Sequence, residues 1–172
     1  MPKTIPDLKK KILLAARRRM TESESGSFSI RQLAVDLQVA AGTIFNYFSS
    51  KDELMASVIL EDWQLCLWKM DEAAQKALSP YDGFRQMEAL LRAFSEPFRS
   101  VWRGYTRQNP IPQYHRMLIG QLSGPVGTLL GQSGCTVGDT ELSVLSEMLL
   151  ASSQREPGLI DSLLPVMEKI WT

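Results

Sequence analysis

Apolar residues recur along this chain at intervals of three and four and hardly anywhere alternate, so the pattern predicts helices throughout. In the first segment Leu8, Ile12, Ala15, Ala16 and Met20 share one face. "TIPD" opens it, with Thr4 as N-cap, Pro6 in the first turn and Asp7 at the capping-box position, and "ESESGS" closes it. Ser29 and Gln32 cap a second helix that turns Leu33, Ala34 and Leu37 inward, and a third, short helix is expected from about Ala40 to Tyr47. "SSKDE" then supplies two overlapping boxes, Ser49 with Asp52 and Ser50 with Glu53, ahead of a long helix. Its stripe runs Met55, Ile59, Trp63, Cys66, Met70, Ala73 and Ala77. Beyond Ser79-Pro80 the stripe is Phe84, Met87, Leu91, Phe94, Phe98 and Trp102, with a bend expected at Pro97. "QNPIPQ" is a loop, residues 113–131 a helix, and "GQSGCTVGD" a second loop. Two last helices are expected at about 139–153 and 157–171, the second bent at Pro165. The expected fold is all-α with about nine helices.

The third helix carries the chemistry. On a 100° wheel Ile44, Phe45 and Phe48 cluster on one side with Ala41 beside them, while Gly42, Thr43, Asn46 and Tyr47 lie on the other. The first set would dock on Leu33 and Leu37; the second is polar, short and able to form hydrogen bonds. Two short helices joined by a tight turn, the second with a polar outer face, make a helix-turn-helix reader of DNA. Asn bonds an adenine edge in two places, and Thr bonds a base or touches a thymine methyl. Lys51 stands where the long helix begins, and a helix N-terminus disfavours a cation unless something negative meets it; a backbone phosphate would. The competing reading is a small helical subdomain with a polar outer face.

Composition fits a compact helical protein: 172 residues, 44% hydrophobic and 22% charged, enough to bury a core. No apolar run approaches the roughly 18 residues of a membrane helix, and in "MPKTIPDLKKKILLAARRR" charge flanks only five apolar residues, too few for a secretory signal. A cytoplasmic location is expected, with Cys66 and Cys135 reduced. The net charge of zero hides a split: residues 1–51 hold nine Lys or Arg against four acids, giving +5, and the remainder carries −5. A basic head on an acidic body suits a focused phosphate-binding surface, though a charge run is also what a solvated face looks like. One His and two distant Cys make no usual zinc site, and neither GxxxxGK nor GxSxG occurs. No catalytic residue, metal or cofactor is therefore expected.

The segment "IRQLAVDLQVAAGTIFNYFSSKDEL" resembles the DNA-binding segment of the tetracycline-repressor (TetR) family, whose members end the recognition helix in Tyr-x-x-Phe followed by a Lys. The resemblance implies a three-helix helix-turn-helix domain over residues 1–50 and a helical ligand-binding and dimerisation domain over 51–172. It also implies a homodimeric transcription regulator, usually a repressor that binds a palindromic operator and is released by a small molecule. Carried over position by position, Ser29 and Arg31 would touch phosphate or a base, Ala41, Gly42, Thr43 and Asn46 would read bases, and Phe45, Tyr47 and Lys51 would contact the DNA backbone. Three positions depart from the family. Gln38 stands where Gly is favoured, Ala40 where a Ser or Thr caps the recognition helix, and Phe45 where a Tyr would bond phosphate.

For the rest of the chain the residues leave alternatives open. Trp63, Cys66, Met87, Phe94, Phe98, Trp102, Tyr105, Tyr114 and Met117 would line a ligand pocket or simply fill the core. Leu142, Leu145, Leu149, Ile160, Leu163, Leu164, Met167, Ile170 and Trp171 on the last two helices form the expected dimer seam, unless those stripes fold back onto the body. Arg85, Arg92, Arg99, Arg103 and Arg107, with Glu88 and Glu96 among them, suggest a solvated salt-bridge face, and His115 a surface or capping residue. Glycines at 120, 124, 127, 131, 134 and 138 suggest tight packing up to about Gly131. The rival functions are a ligand-independent dimeric DNA-binding protein and a small helical enzyme that has kept the DNA-binding head.

Overall fold

The computed structural model describes residues 7–22, 28–99, 112–155 and 157–171, with the side chains of 112–115 outside that description. Among the described residues there are eight α-helices and no strands. They are α1 (Leu8–Glu22), α2 (Ile30–Asp36), α3 (Ala41–Phe45), α4 (Lys51–Lys76), α5 (Pro80–Ser95), α6 (Pro112–Gln132), α7 (Asp139–Ser153) and α8 (Leu159–Trp171). None of them is long and apolar enough to cross a membrane. The chain divides into two compact units, residues 1–63 with 97–108 and residues 64–96 with 109–172, so the division falls inside α4.

In the first unit, the head, Ile12, Met20, Leu33, Ile44, Leu54 and Val58 are fully buried. The expected start of α1 is corrected: the helix begins at Leu8, and Asp7 precedes it with φ +58° while its carbonyl accepts the Lys11 amide at 3.0 Å. Thr4 and Pro6 lie outside the described residues. Leu13 is buried and Ala15 only half-buried, so the stripe leans further round the helix than its apolar spacing suggests.

In the second unit, the body, α5 packs on α6, α7 and α8, and α7 on α6 and α8. Met87, Leu122, Val126, Leu145, Leu149, Leu164 and Met167 form its interior. Ser79 caps α5 by accepting the Asp82 amide, and a Cβ at Gly83 would overlap the Leu129 side chain, so a bare position lets α5 and α6 meet closely. Trp171 stacks on Phe84, with centroids 5.2 Å apart, and takes Tyr81 edge-on, which ties α8 to α5. Helix α5 ends at Ser95 and passes into a 3₁₀ turn, Glu96–Phe98, that contains Pro97; residues 100–111, where the stripe was expected to continue, lie outside the described residues. Proline removes a helical donor and its ring crowds the preceding turn. Trp102, Arg103 and Arg107 lie outside the described residues.

Four expectations for the body change. Leu145, Leu149, Ile160, Leu164, Met167 and Trp171 of the expected dimer seam are buried within the single chain, because α7 and α8 pack on α5 and each other. Leu142, Leu163 and Ile170 are half-buried, and the exposed apolar residues of these helices are Val144 and Val166. The arginine face is not simply solvated: Arg92 pairs with Glu88 and donates to the carbonyls of Ser152 (3.1 Å) and Arg155 (2.7 Å) at the end of α7, while Arg85 reaches Asp161 on α8. The glycine stripe is not tightly packed, since a Cβ at Gly120, Gly124 or Gly131 would meet nothing within 4 Å. Finally, α4 stops at Lys76, leaving Ala77 outside it.

Both cysteines are free, as expected. The Cys66 Sγ lies 3.6 Å from the Leu90 carbonyl, and burial pushes its thiol up to about 11. Arg92 is the polar anchor of the body, because it neutralises the buried Glu88 and supplies donors and positive charge at a helix C-terminus. Arg92→Ala leaves both the carboxylate and the carbonyls without it and is expected to cost about 2–4 kcal/mol in urea unfolding.

Candidate nucleic-acid interface

Helix α2 starts as its residues dictate: the Ser29 side chain accepts the Gln32 amide at 3.1 Å, and the Gln32 Oε1 accepts the Ser29 amide at 3.1 Å. The chain leaves α2 through Leu37 and Gln38, whose φ of +55° is left-handed, and the Val39 amide bonds back to Ala34. A side chain in that conformation costs about 1 kcal/mol, which is why glycine suits the position. Ala40 then precedes α3 in an extended conformation with no side-chain cap. Helix α3 spans five residues, shorter than the expected Ala40–Tyr47, because Asn46 and Tyr47 already close the turn by donating to Gly42 and Ile44.

Such a short helix is held by its inward residues. Ile44 is 0% and Phe48 2% exposed. Gly42, Asn46 and Tyr47 face solvent, and Ala41 and Thr43 are half-buried. The wheel misplaces Phe45, which is 48% exposed rather than inward. It is the last residue of α3 and points past the edge of the core. Arg31 is exposed on α2, and the Ser29 hydroxyl is engaged within its own capping box.

At the start of α4 the Glu53 amide donates to Ser50 Oγ at 3.0 Å, whereas the Glu53 carboxylate takes the Ser49 amide and hydroxyl. Two expected boxes become one interleaved arrangement. The Ser49 hydroxyl, then its amide, hold the Glu53 carboxyl below the ordinary value of 4.5. Lys51 lies with Nζ 5.2 Å from the Phe28 ring centroid, and Lys9 of α1 with Nζ 5.9 Å from the Phe48 centroid. Lys9 was not among the expected interface residues; its only signal in the sequence is the Lys9–Lys11 run.

The arginines of the head serve its framework. Arg17 pairs with Asp62 and Glu61, Arg18 with Glu22, and Arg19 grips Asp36 through Nε and Nη2, both at 2.8 Å. Burial pushes the Asp62 carboxyl up, and Arg17 pulls it back. Among the described residues Lys9, Lys10, Lys11 and Arg31 have no carboxylate within ion-pair distance.

Residues 12–58 match the profile of bacterial regulatory proteins of the tetR family. This head segment is similar to that family. An HTH-type transcriptional regulator of Haemophilus influenzae is 26% identical over 104 residues, 60% of this chain and 50% of that protein, so the chain spans about half the length of its curated relative. The fold is similar to that of a transcriptional regulator from Cytophaga hutchinsonii, with a TM-score of 0.61, 13% identity, and coverage of 94% and 93% of the two chains. It is also similar to a TetR-family regulator from Streptomyces coelicolor, with a TM-score of 0.56, 13% identity, and coverage of 95% and 96%.

The suggested pocket residues divide between the two units: Trp63 and Phe98 belong to the head, Cys66, Met87, Phe94 and Met117 to the body. Trp63, Cys66, Met87 and Phe98 are buried, Phe94 half-buried and Met117 exposed. Trp102, Tyr105 and the Tyr114 side chain lie outside the described residues, as does that of His115. Among the described residues, no three His, Cys, Asp or Glu side chains gather as a metal site would need.

Gln38→Gly removes the left-handed strain and is expected to raise stability by about 1 kcal/mol, read as a higher urea midpoint at unchanged slope. Glu53 has a lowered folded-state pKa, so its contribution is present above 4.5 and fades as the pH falls through the folded value. The stability difference between the parent and Glu53→Ala should therefore be largest near neutral pH and shrink on acidification, in unfolding curves taken at several pH values.

Proposed function

We propose that this protein is a tetR-family regulator that binds a palindromic DNA operator as a homodimer, represses transcription there, and is released when a small molecule enters its body. The observation that carries the reading is the outer face of α3. Gly42, Asn46 and Tyr47 stand outside and Thr43 is half-buried, while Ile44 and Phe48 fix the helix from within. In this reading α3 enters the major groove, Ala41, Gly42, Thr43 and Asn46 meet base edges, and Ser29, Arg31, Phe45, Tyr47 and Lys51 contact the backbone or its margins. One such helix reads only a few base pairs, so useful specificity needs two half-sites and a dimer. With the apolar stripes of α7 and α8 turned inward, the partner would pack on their outer faces, where Val144 and Val166 are exposed. Residues 51–172 form the ligand-binding and dimerisation domain, and a bound ligand favours a body shape that tilts α4 and moves the two heads off operator spacing. The location is cytoplasmic, with the chromosomal DNA.

A second reading is that the body only dimerises and takes no ligand. The full burial of Met87, Leu122, Val126, Leu145 and Leu164, which fill the interior, favours it. Raised thermal stability with one member of a small-molecule library, together with loss of operator binding, would decide for ligand release.

The DNA reading is tested by selecting duplexes from a random pool and measuring affinities by fluorescence anisotropy. Asn46→Ala should lose about 1–3 kcal/mol of discrimination for the selected palindrome. Lys51→Ala should weaken all sequences alike and lower the salt slope by about 1.

A further inference from the structure

The surface that α3 presents has an unusual chemistry for a base reader. From Leu37 to Ser50 there is no charged residue. The commonest guanine contact, a bidentate Arg or Lys on O6 and N7, and the Asp or Glu contact to cytosine N4 are therefore both missing from this face. What it offers instead is Ala41 and the Thr43 methyl, groups that pack against the C5-methyl of thymine, with Asn46 exposed to pair with an adenine edge. Gln38, exposed in the turn, favours adenine in the same way.

Gly42 adds an independent observation. It is exposed, its φ is not left-handed, and a Cβ built on it meets nothing within 4 Å. Among the described residues nothing requires a glycine there, although a glycine inside a helix is disfavoured relative to alanine. With Ala40 and Ala41 beside it, it leaves the first turn of α3 bare, so the helix start can lie against base edges at van der Waals distance. Phe45 is one turn further on, at the three-residue spacing that shares a face with Gly42.

We infer that the half-site under α3 is rich in A·T pairs, read through thymine methyls by Ala41 and Thr43 and through adenine by Asn46, with Gly42 permitting the close approach. The inference rests on α3 being the DNA reader. Arg31 stands on α2, outside this face, and a guanine contact from it adds a flanking position without changing the bases under α3.

The test uses the full chain and the duplex selected from the random pool. Each contacted thymine is replaced by uracil, which removes the methyl and nothing else. The expected result is a palindrome with A·T-rich half-sites and an affinity loss of about fourfold per contacted methyl. Gly42→Ala should unfold at the same or a higher temperature yet bind the palindrome about tenfold more weakly, because the added methyl holds the helix off the bases. A palindrome with G·C pairs under α3, or one indifferent to uracil, overturns the inference and leaves the DNA reader standing. Binding by Gly42→Ala equal to the parent overturns the close approach. Absence of any enriched palindrome overturns the reader itself, and the inference with it.

Discussion

A helix of five residues has no stability of its own, so everything at the head depends on two side chains that reach inward from α3 and its end. Ile44 and Phe48 are buried among residues of the head core, and burying each is worth about 1.5–3 kcal/mol. Against that stand a left-handed Gln38 and an uncapped Ala40, costing about 1 kcal/mol each. Packing wins over local preference, with little to spare. The same division of labour frees the outer face: Gly42, Thr43, Phe45 and Asn46 contribute little to holding the helix, so their chemistry can answer to a partner.

What was legible in the sequence was mostly what lies within one helical turn. Ser29 and Gln32 are three residues apart, and their mutual bonds depend on nothing else, so the α2 cap is as its spacing implies. At the start of α4 the residue types were legible but the pairing was not. Glu53 reaches four residues back to Ser49 while its amide turns to Ser50, a choice made by side-chain rotamers rather than spacing. The wheel failed at Phe45 because it assumes a helix with neighbours on every side, and α3 ends there. In the body, periodicity said which faces of α7 and α8 are apolar but not what covers them; Leu145, Leu149, Leu164 and Met167 are buried because these helices pack on α5 and on each other. Arg92 illustrates the same limit, since its targets are carbonyls 60 and 63 positions further along the chain.

The charge of the head divides by residue type in a way that follows from side-chain shape. Arg19 uses its planar fork to hold both oxygens of Asp36, locking α1 to α2, and Arg17 ties α1 to the acids of α4. The lysines are compact charges on flexible stems, and Lys9 and Lys51 rest over aromatic rings beside the α3–α4 turn. With screening over about 10 Å in ordinary salt, charges this close to α3 matter more for anything that approaches it than the net balance of the chain, which is zero. Arginine pairs hold the framework, and the two lysines lie against aromatic rings.

The glycines make the same distinction between what a fold needs and what a partner needs. Gly83 is bare because Leu129 occupies the space a Cβ would take, so a glycine disfavoured by its helix is compensated by contact between α5 and α6. Gly42 has no such neighbour, and nothing in the structure explains the open positions at Gly120, Gly124 and Gly131. For Gly42 the surroundings are chemically specific, with Ala41 and Thr43 on either side and Phe45 one turn on, all on a helix without charge. A bare position set among groups suited to methyl contacts is what the proposed close approach to base edges would use.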